Sequence, residues 1–250
     1  MIEVDGLVRK LGDSLVLDGL SFVAPAGSVT GFLGPNGAGK TTTMRVLSTL
    51  LRPTEGTVRI AGYDVVTEAI DVRRVIGLVT EEPSLLDRLT VREQLDFSAR
   101  AYDVAPARIA ERISLLVDLL GLADGIDKRA GTLSKGNRQK AALARALVHD
   151  PAVLLLDEPT ANLDIVAQAG MQELLQRQDV VGDKTVFLST HVLDEAERLC
   201  DRIVGIVGGR TVAEGSPAEI VARAGATSFR EAFLDLVAQS AMTPNPSESP

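Results

Sequence analysis

The sequence predicts an α/β domain: a mostly parallel central sheet, antiparallel strands at the N-terminus and an inserted helical segment. Three observations carry this. Apolar runs of strand length recur late in the chain, at "AVLLLD", "TVFLST" and "DRIVGIV", with helix-like segments between them. Strands that are apolar along their whole length belong in a parallel sheet covered on both faces. Residues 1–33 instead alternate short apolar runs with turns, and from about Leu85 to His149 the apolar spacing is helical. A chain of 250 residues fits one such domain with a small insertion.

Taken in order, "IEVDGLV" and "SLVLDGLSFVA" read as antiparallel strands that feed a central strand, "SVTGFL". A Gly-rich loop follows, then an apolar helix expected from Thr41 to Leu51, and "GTVRIAGYDV" reads as a hairpin element. Within the helical insertion, expected over about residues 85–150, "PARIAERISLLVDLLGL" places Ile109, Ile113, Leu116, Val117 and Leu120 on one face, with Pro106 near its start. Residues 226–239 are expected to add a short helix, with Ser228 and Glu231 at capping-box spacing and Phe233, Leu236 and Val237 on its apolar face. The Pro- and Ser-rich segment 240–250 is expected to be disordered. No internal repeat is present.

Composition narrows the classes of function. The longest apolar runs fall short of the roughly 18–20 residues that cross a bilayer, and "MIEVDGLVRK" lacks a signal-peptide core. A net charge of −8 argues against nucleic acid as a partner and against binding to anionic lipid by the chain alone. Cys200 is the single cysteine, so no internal disulfide is possible; it reads as a small buried hydrophobe in a reducing cytoplasm.

Two helix starts carry phosphate-binding character. "GPNGAGKT", Gly34 to Thr41, fits G-x-x-x-x-G-K-[ST] between an expected strand and an expected helix. Its residues Gly34, Pro35, Asn36, Gly37, Ala38 and Gly39 can wrap backbone N–H groups around a β-phosphate, continued by Thr42. Lys40 reaches the β/γ oxygens and the Thr41 hydroxyl can bind Mg²⁺. The second start, "LSKGNRQKAALARAL", sets a Ser, a Lys and a Gly ahead of an Ala-rich helix. Why one domain carries two such starts is not explained by the first.

Further chemistry sits at strand ends. "AVLLLDEPT" brings Asp157 to the carboxyl edge of the sheet, where ligands of α/β domains bind, as a candidate for Mg²⁺. Glu158 beside it is the candidate to polarise an attacking water. "TVFLSTH" delivers His191 to the same edge, where an imidazole can donate to a phosphate oxygen or hold the water. His149 has no such context and reads as structural.

"GPNGAGKTT", "LSKGNRQK", "LLLDEPTANLD" and "STH" stand in the order and spacing of the ATPase subunits of ABC transporters, which the chain resembles over residues 1–220. The resemblance implies a P-loop NTPase core of the ABC ATPase type over residues 1–225, with ATP and Mg²⁺ as ligands and ATP hydrolysis as the reaction. It also implies an answer for the second helix start. In this family two chains dock head to tail, and the signature motif of each, usually LSGGQ and here "LSKGN", covers ATP held by the other. Ser134 and Gly136 would then contact a γ-phosphate across the interface, and Asp164 in "ANLD" would match the D-loop crossing it.

Three departures from the family pattern involve four positions. Leu11 stands where an aromatic residue usually stacks on adenine. Glu81 replaces the Q-loop Gln, so it can accept from metal-bound water and cannot donate. Lys135 and Asn137 replace a Gly and a Gln of the signature. A carboxylate in the Q-loop and an LSKG signature are similar to the sodium-exporter-like ATPases that pair with ABC-2-type permeases. That likeness implies an exporter subunit held at the inner face of the cell membrane by a separate multi-span permease, contacted through the segment Glu81–Arg92. Two alternatives are a non-transport ABC ATPase and a nucleotide-dependent regulator of low turnover.

Overall fold

The computed structural model of the chain describes residues 1–242. Two sheets organise it. Strands β1 (Ile2–Leu11), β2 (Ser14–Ala24), β4 (Glu55–Ile60) and β5 (Tyr63–Asp64) form an antiparallel sheet in the order β2-β1-β4-β5. The larger sheet runs β10-β9-β3-β8-β7-β6, built from β3 (Val29–Leu33), β6 (Ile76–Val79), β7 (Val153–Asp157), β8 (Thr185–Thr190), β9 (Arg202–Val207) and β10 (Arg210–Gly215). Its strands are parallel except at the β9–β10 hairpin.

The apolar runs earn their place by feeding two cores at once. In β7, Val153 and Leu155 join the core between the two sheets, whereas Leu154 and Leu156 point into the core beneath the helices. Alternate side chains leave a strand on opposite faces, so a strand covered on both sides must be apolar throughout. Phe22, Phe32 and Phe187 pack in the inter-sheet core with ring centroids 5.2–5.5 Å apart.

Helix α1 (Lys40–Leu47) lies against this core and stops four residues short of the expected Leu51. Ser48 Oγ donates to the Met44 carbonyl at 2.8 Å, Thr49 turns left-handed, and the N–H groups of Leu50 and Leu51 close back on the Arg45 carbonyl. After β5, α2 (Ala69–Val75) and β6 were not foreseen. They add a fifth parallel strand before the insertion begins.

The insertion is helical only in part. Residues 85–90 and 121–134 are not α-helical; only a short 3₁₀ turn forms, at Ala130–Thr132. α3 (Val91–Ala101) opens with a capping box between Thr90 and Glu93. α4 (Pro106–Leu120) has Pro106 in its first turn and ends on left-handed Gly121. It buries Ile109, Ile113, Leu116 and Leu120, with Val117 half-buried beside them. α5 (Lys135–Leu147) lays an alanine-rich face on β6. A Cβ at Gly77 would stand 2.3 Å from the Ala146 carbonyl oxygen, so the close approach requires glycine there.

α6 (Ile165–Gln176), α7 (Gln178–Val181) and α8 (Leu193–Leu199) connect the remaining strands. α9 (Pro217–Ala224) and α10 (Phe229–Met242) close the helical layer. Neither β10 nor α9 was foreseen. In α10, Ser228 Oγ accepts from the Glu231 N–H at 3.2 Å, but Glu231 reaches back to Thr227 rather than to Ser228. Phe229 and Phe233 are buried, and Leu236 and Val237 pack against the same core. The helix runs to Met242, past the expected end at 239; residues 243–250 lie outside the described residues. Cys200 is buried, and burial pushes its thiol pKa up, so it behaves as a small hydrophobe.

Candidate functional site

The loop from β3 to α1 is built for close backbone approach. A Cβ at Gly34 would stand 2.3 Å from the Ile206 carbonyl oxygen. Gly37 and Gly39 take φ of +81° and +107°, a region that side-chain-bearing residues rarely enter. Gly39 caps α1 without a side chain, which leaves the first-turn N–H groups to whatever enters the cleft. Lys40 is 6% exposed, and its Nζ donates to the carbonyls of Gly34 (2.8 Å) and Pro35 (3.3 Å). It also lies 3.3 Å from Glu158 Oε1.

This loop opens on a cleft of about 300 Å³ lined by Val16, Asn36, Gly37, Gly39, Lys40, Thr41, Thr42, Glu81, Glu158 and His191. The tips of β3, β7 and β8 therefore converge, as parallel-sheet topology dictates for carboxyl-end residues. Pro35 contributes its carbonyl to Lys40, and Ala38 is buried under the loop.

At the acidic strand end, Asp157 is buried and accepts from Ser189 Oγ at 2.6 Å. The same Ser189 oxygen accepts the Glu158 N–H at 3.0 Å, so one hydroxyl ties both acidic positions to β8. Glu158 has φ +49°, a left-handed value for a residue with a side chain. Its Oε2 is 2.8 Å from His191 Nδ1. An ionised carboxylate can only accept, so Nδ1 carries the proton and a neutral His191 presents Nε2 as an acceptor. Donation from Nε2 to a phosphate then requires the imidazolium. As placed, the imidazole orients Glu158.

For a divalent cation, the Thr41 hydroxyl, Asp157 and Glu81 share a neighbouring groove of about 320 Å³. Hard oxygen donors of this kind suit Mg²⁺, which takes one or two carboxylates together with substrate phosphates. Among the described residues no cluster of three or more His, Cys, Asp or Glu could hold a metal alone. Glu81 is exposed and accepts from Asn162 Nδ2 at 3.3 Å.

Ser134, Gly136 and Asp164 do not line the cleft. Ser134 is the exposed N-cap of α5 and accepts from the Asn137 N–H at 3.3 Å. Asp164 likewise caps α6, accepting from the Ala167 N–H at 2.9 Å. A Cβ on Gly136 would meet Ala167 Cβ at 2.9 Å, so these two helix starts abut. Leu11 is 43% exposed at the end of β1 and does not line the cleft, whereas Val16 does. His149 stacks on Tyr102 with ring centroids 3.8 Å apart, and its Nε2 lies 2.9 Å from the Ile76 carbonyl oxygen. Burial holds its pKa below the usual imidazole value.

Sequence reasoning missed Val16, Ser189, Thr160, Asn162 and Glu195. Only the hydroxyls adjoining the motifs, in "DEPT" and "LSTH", signalled a polar network there.

Residues 17–161 match the family model described as ABC transporter. A daunorubicin resistance ATP-binding protein from Streptomyces coeruleorubidus is 42% identical over 224 residues, covering 90% of this chain and 71% of that protein. A Nod factor export ATP-binding protein I from Burkholderia lata is 40% identical over 220 residues, covering 88% of this chain and 72% of that protein. Among solved structures, an ATP-binding subunit of an ABC transporter superposes with a TM-score of 0.86 at 30% identity, covering 94% of this chain and 99% of that one. A dimeric bacterial ABC transporter cassette superposes at 0.77 with 26% identity, covering 86% and 98%.

Proposed function

This chain belongs to the ABC transporter family, and on that premise we propose that it is the ATP-hydrolysing subunit of an exporter. Two such chains close head to tail around two Mg-ATP and drive a separate multi-span permease of the ABC-2 type. The relatives named for drug resistance and Nod factor export support the exporter reading. Among the described residues no helix is long and apolar enough to cross a membrane, so attachment to the inner face falls to the permease. The substrate of transport then meets the permease and not this chain.

The observation that carries the reading is the meeting of Lys40, Thr41, Glu158 and His191 in one cleft. Phosphoryl transfer to water asks a protein mainly for positioning and for stabilising charge on the equatorial oxygens. The phosphate loop N–H groups and Lys40 hold the β- and γ-phosphates. Mg²⁺, when bound, neutralises charge on those oxygens, and Thr41, Asp157 and Glu81 are the residues that would hold it. Both Glu158 oxygens are engaged, one near Lys40 and one by His191. As Lys40 turns to the γ-phosphate it releases Oε1, which then accepts a hydrogen bond from the attacking water. His191 keeps the carboxylate aimed through Oε2. Ser134, Gly136 and Asp164 complete the neighbouring chain's site.

Replacing Glu158 with Gln tests this. ATP binding stays intact, hydrolysis falls by at least a hundredfold, and an ATP-bound dimer accumulates on gel filtration. Near-normal turnover would remove Glu158 from the proposed role.

A further inference from the structure

Behind the cleft lies a buried acid with no part in the scheme above. Glu195, on α8, is 2% exposed. Its Oε1 accepts from Thr160 Oγ1 at 2.6 Å and from Gln172 Nε2 at 3.4 Å, and its Oε2 accepts from Thr190 Oγ1 at 2.5 Å. Among the described residues no basic side chain forms an ion pair with it. A buried carboxylate is costly unless hydrogen bonds compensate it, and here three donors from three segments do so.

Those segments are the ones that carry the site. Thr160 lies two residues after Glu158, Thr190 immediately precedes His191, and Gln172 sits on α6, which begins after Asp164. The corner after β7 is strained: Glu158 and Asn162 have φ of +49° and +61°. Such backbone persists only where its surroundings over-determine it. His191 sits in the two-residue link between β8 and α8, and its ring is half exposed. Thr190 Oγ1 both donates to Glu195 and accepts from the Val192 N–H at 3.1 Å, so one hydroxyl sets the backbone on either side of His191.

We propose that Glu195 is a positioning residue for ATP hydrolysis. It clamps the turn after β7 to the end of β8 and thereby fixes the separation at which Glu158 meets His191. An apolar side chain of similar volume could fill the same space, but it could not orient two hydroxyls. The inference rests on the roles proposed above for Glu158 and His191.

The test uses the full chain and four variants, Glu195→Gln, Thr190→Ser, Thr190→Val and Glu158→Gln, with ATP hydrolysis, nucleotide affinity and melting temperature measured for each. Gln at 195 turns an NH₂ toward a hydroxyl that needs an acceptor. In Glu195→Gln and Thr190→Val, kcat falls about tenfold to a hundredfold, the scale of misplaced reacting groups. KM and nucleotide affinity stay within about twofold, as expected when binding is untouched. Thr190→Ser keeps its hydroxyl and turns over like wild type. A folded Thr190→Val at wild-type kcat overturns the proposal, as does Thr190→Ser as slow as Thr190→Val, or a kcat loss that only tracks the fraction unfolded. Should Glu195→Gln fail to fold, the Thr190 pair retains the carboxylate and decides alone. Glu158→Gln at near-normal turnover would defeat the reading of Glu158, whereas an inactive Glu158→Gln beside a fully active Thr190→Val defeats the positioning role alone.

Discussion

The helix starts at α1 and α5 each place a glycine and a lysine at a helix N-terminus, in opposite settings. At α1, glycines with no capping side chain open onto a cleft that Lys40, Thr41, Glu158 and His191 complete within the chain. At α5, Ser134 caps its own helix on the surface, and among the described residues none of the cleft-lining groups surrounds it. A helix terminus attracts anions weakly by itself, because its partial charge fades within a turn. What separates the two is the enclosure around each. α1 brings its own, and in the proposed head-to-tail dimer α5 presents half of one.

The largest effect that could break this contrast comes from mixing two inactive chains. Lys40→Ala disables the α1 start and Ser134→Arg disables the α5 start. In a head-to-tail mixed dimer one site collects both lesions and the other is whole. Mixing tagged chains at saturating Mg-ATP restores one occluded ATP per dimer; confirmed mixed dimers without it would show that α5 serves its own chain. Next in size is a pair of glycines. Gly34→Ala drives a methyl into the Ile206 carbonyl and costs about 1–3 kcal/mol of stability, read from denaturant unfolding. Gly136→Ala sets its methyl 2.9 Å from the Ala167 methyl, which can move only with its backbone. Up to about 1 kcal/mol of helix propensity offsets part of the clash, so stability falls by less than at Gly34 while turnover falls.

Smaller still is the base end of the cis cleft. Leu11 offers no ring and stands outside the lining, so GTP competes with ATP within about tenfold, or 1.4 kcal/mol. A hundredfold preference for ATP in competition binding would mean that another group reads the base. The smallest effect lies just beyond the far end of α5. His149 is held neutral by burial, so its folded pKa is below the unfolded value. Above about pH 6.5 both states are neutral and nothing is lost. As pH falls below that, the unfolded chain binds the proton first and stability declines. His149→Gln flattens this slope in melting curves between about pH 7 and 5.

Long elements were legible wherever one physical signal dominated them. β7 and β8 are apolar at alternate positions on both faces, and α4 carries a four-turn stripe closed by Gly121. β6 escaped because four residues, one a glycine forced by contact with Ala146, are too few to show a period. α1 was drawn too long because its apolar pattern continues through Leu50 and Leu51 after the backbone has turned at Thr49. In the cleft, the fixed spacing of the phosphate loop announced itself. Ser189 and Glu195 did not, since Asp157 and Thr160, the partners that tie them to the turn after β7, lie 32 and 35 residues away and only folding brings them together.

The left-handed backbone at Glu158 has a consequence for anyone engineering the protein. Glycine would relax that conformation by on the order of 1 kcal/mol, but it would leave the buried Lys40 ammonium without its carboxylate, a loss of about 3–5 kcal/mol. A screen that rewards heat tolerance alone would therefore keep the carboxylate at position 158. The side chain proposed for turnover also neutralises the cation of the phosphate loop, so durability and turnover hold this strained residue in place together.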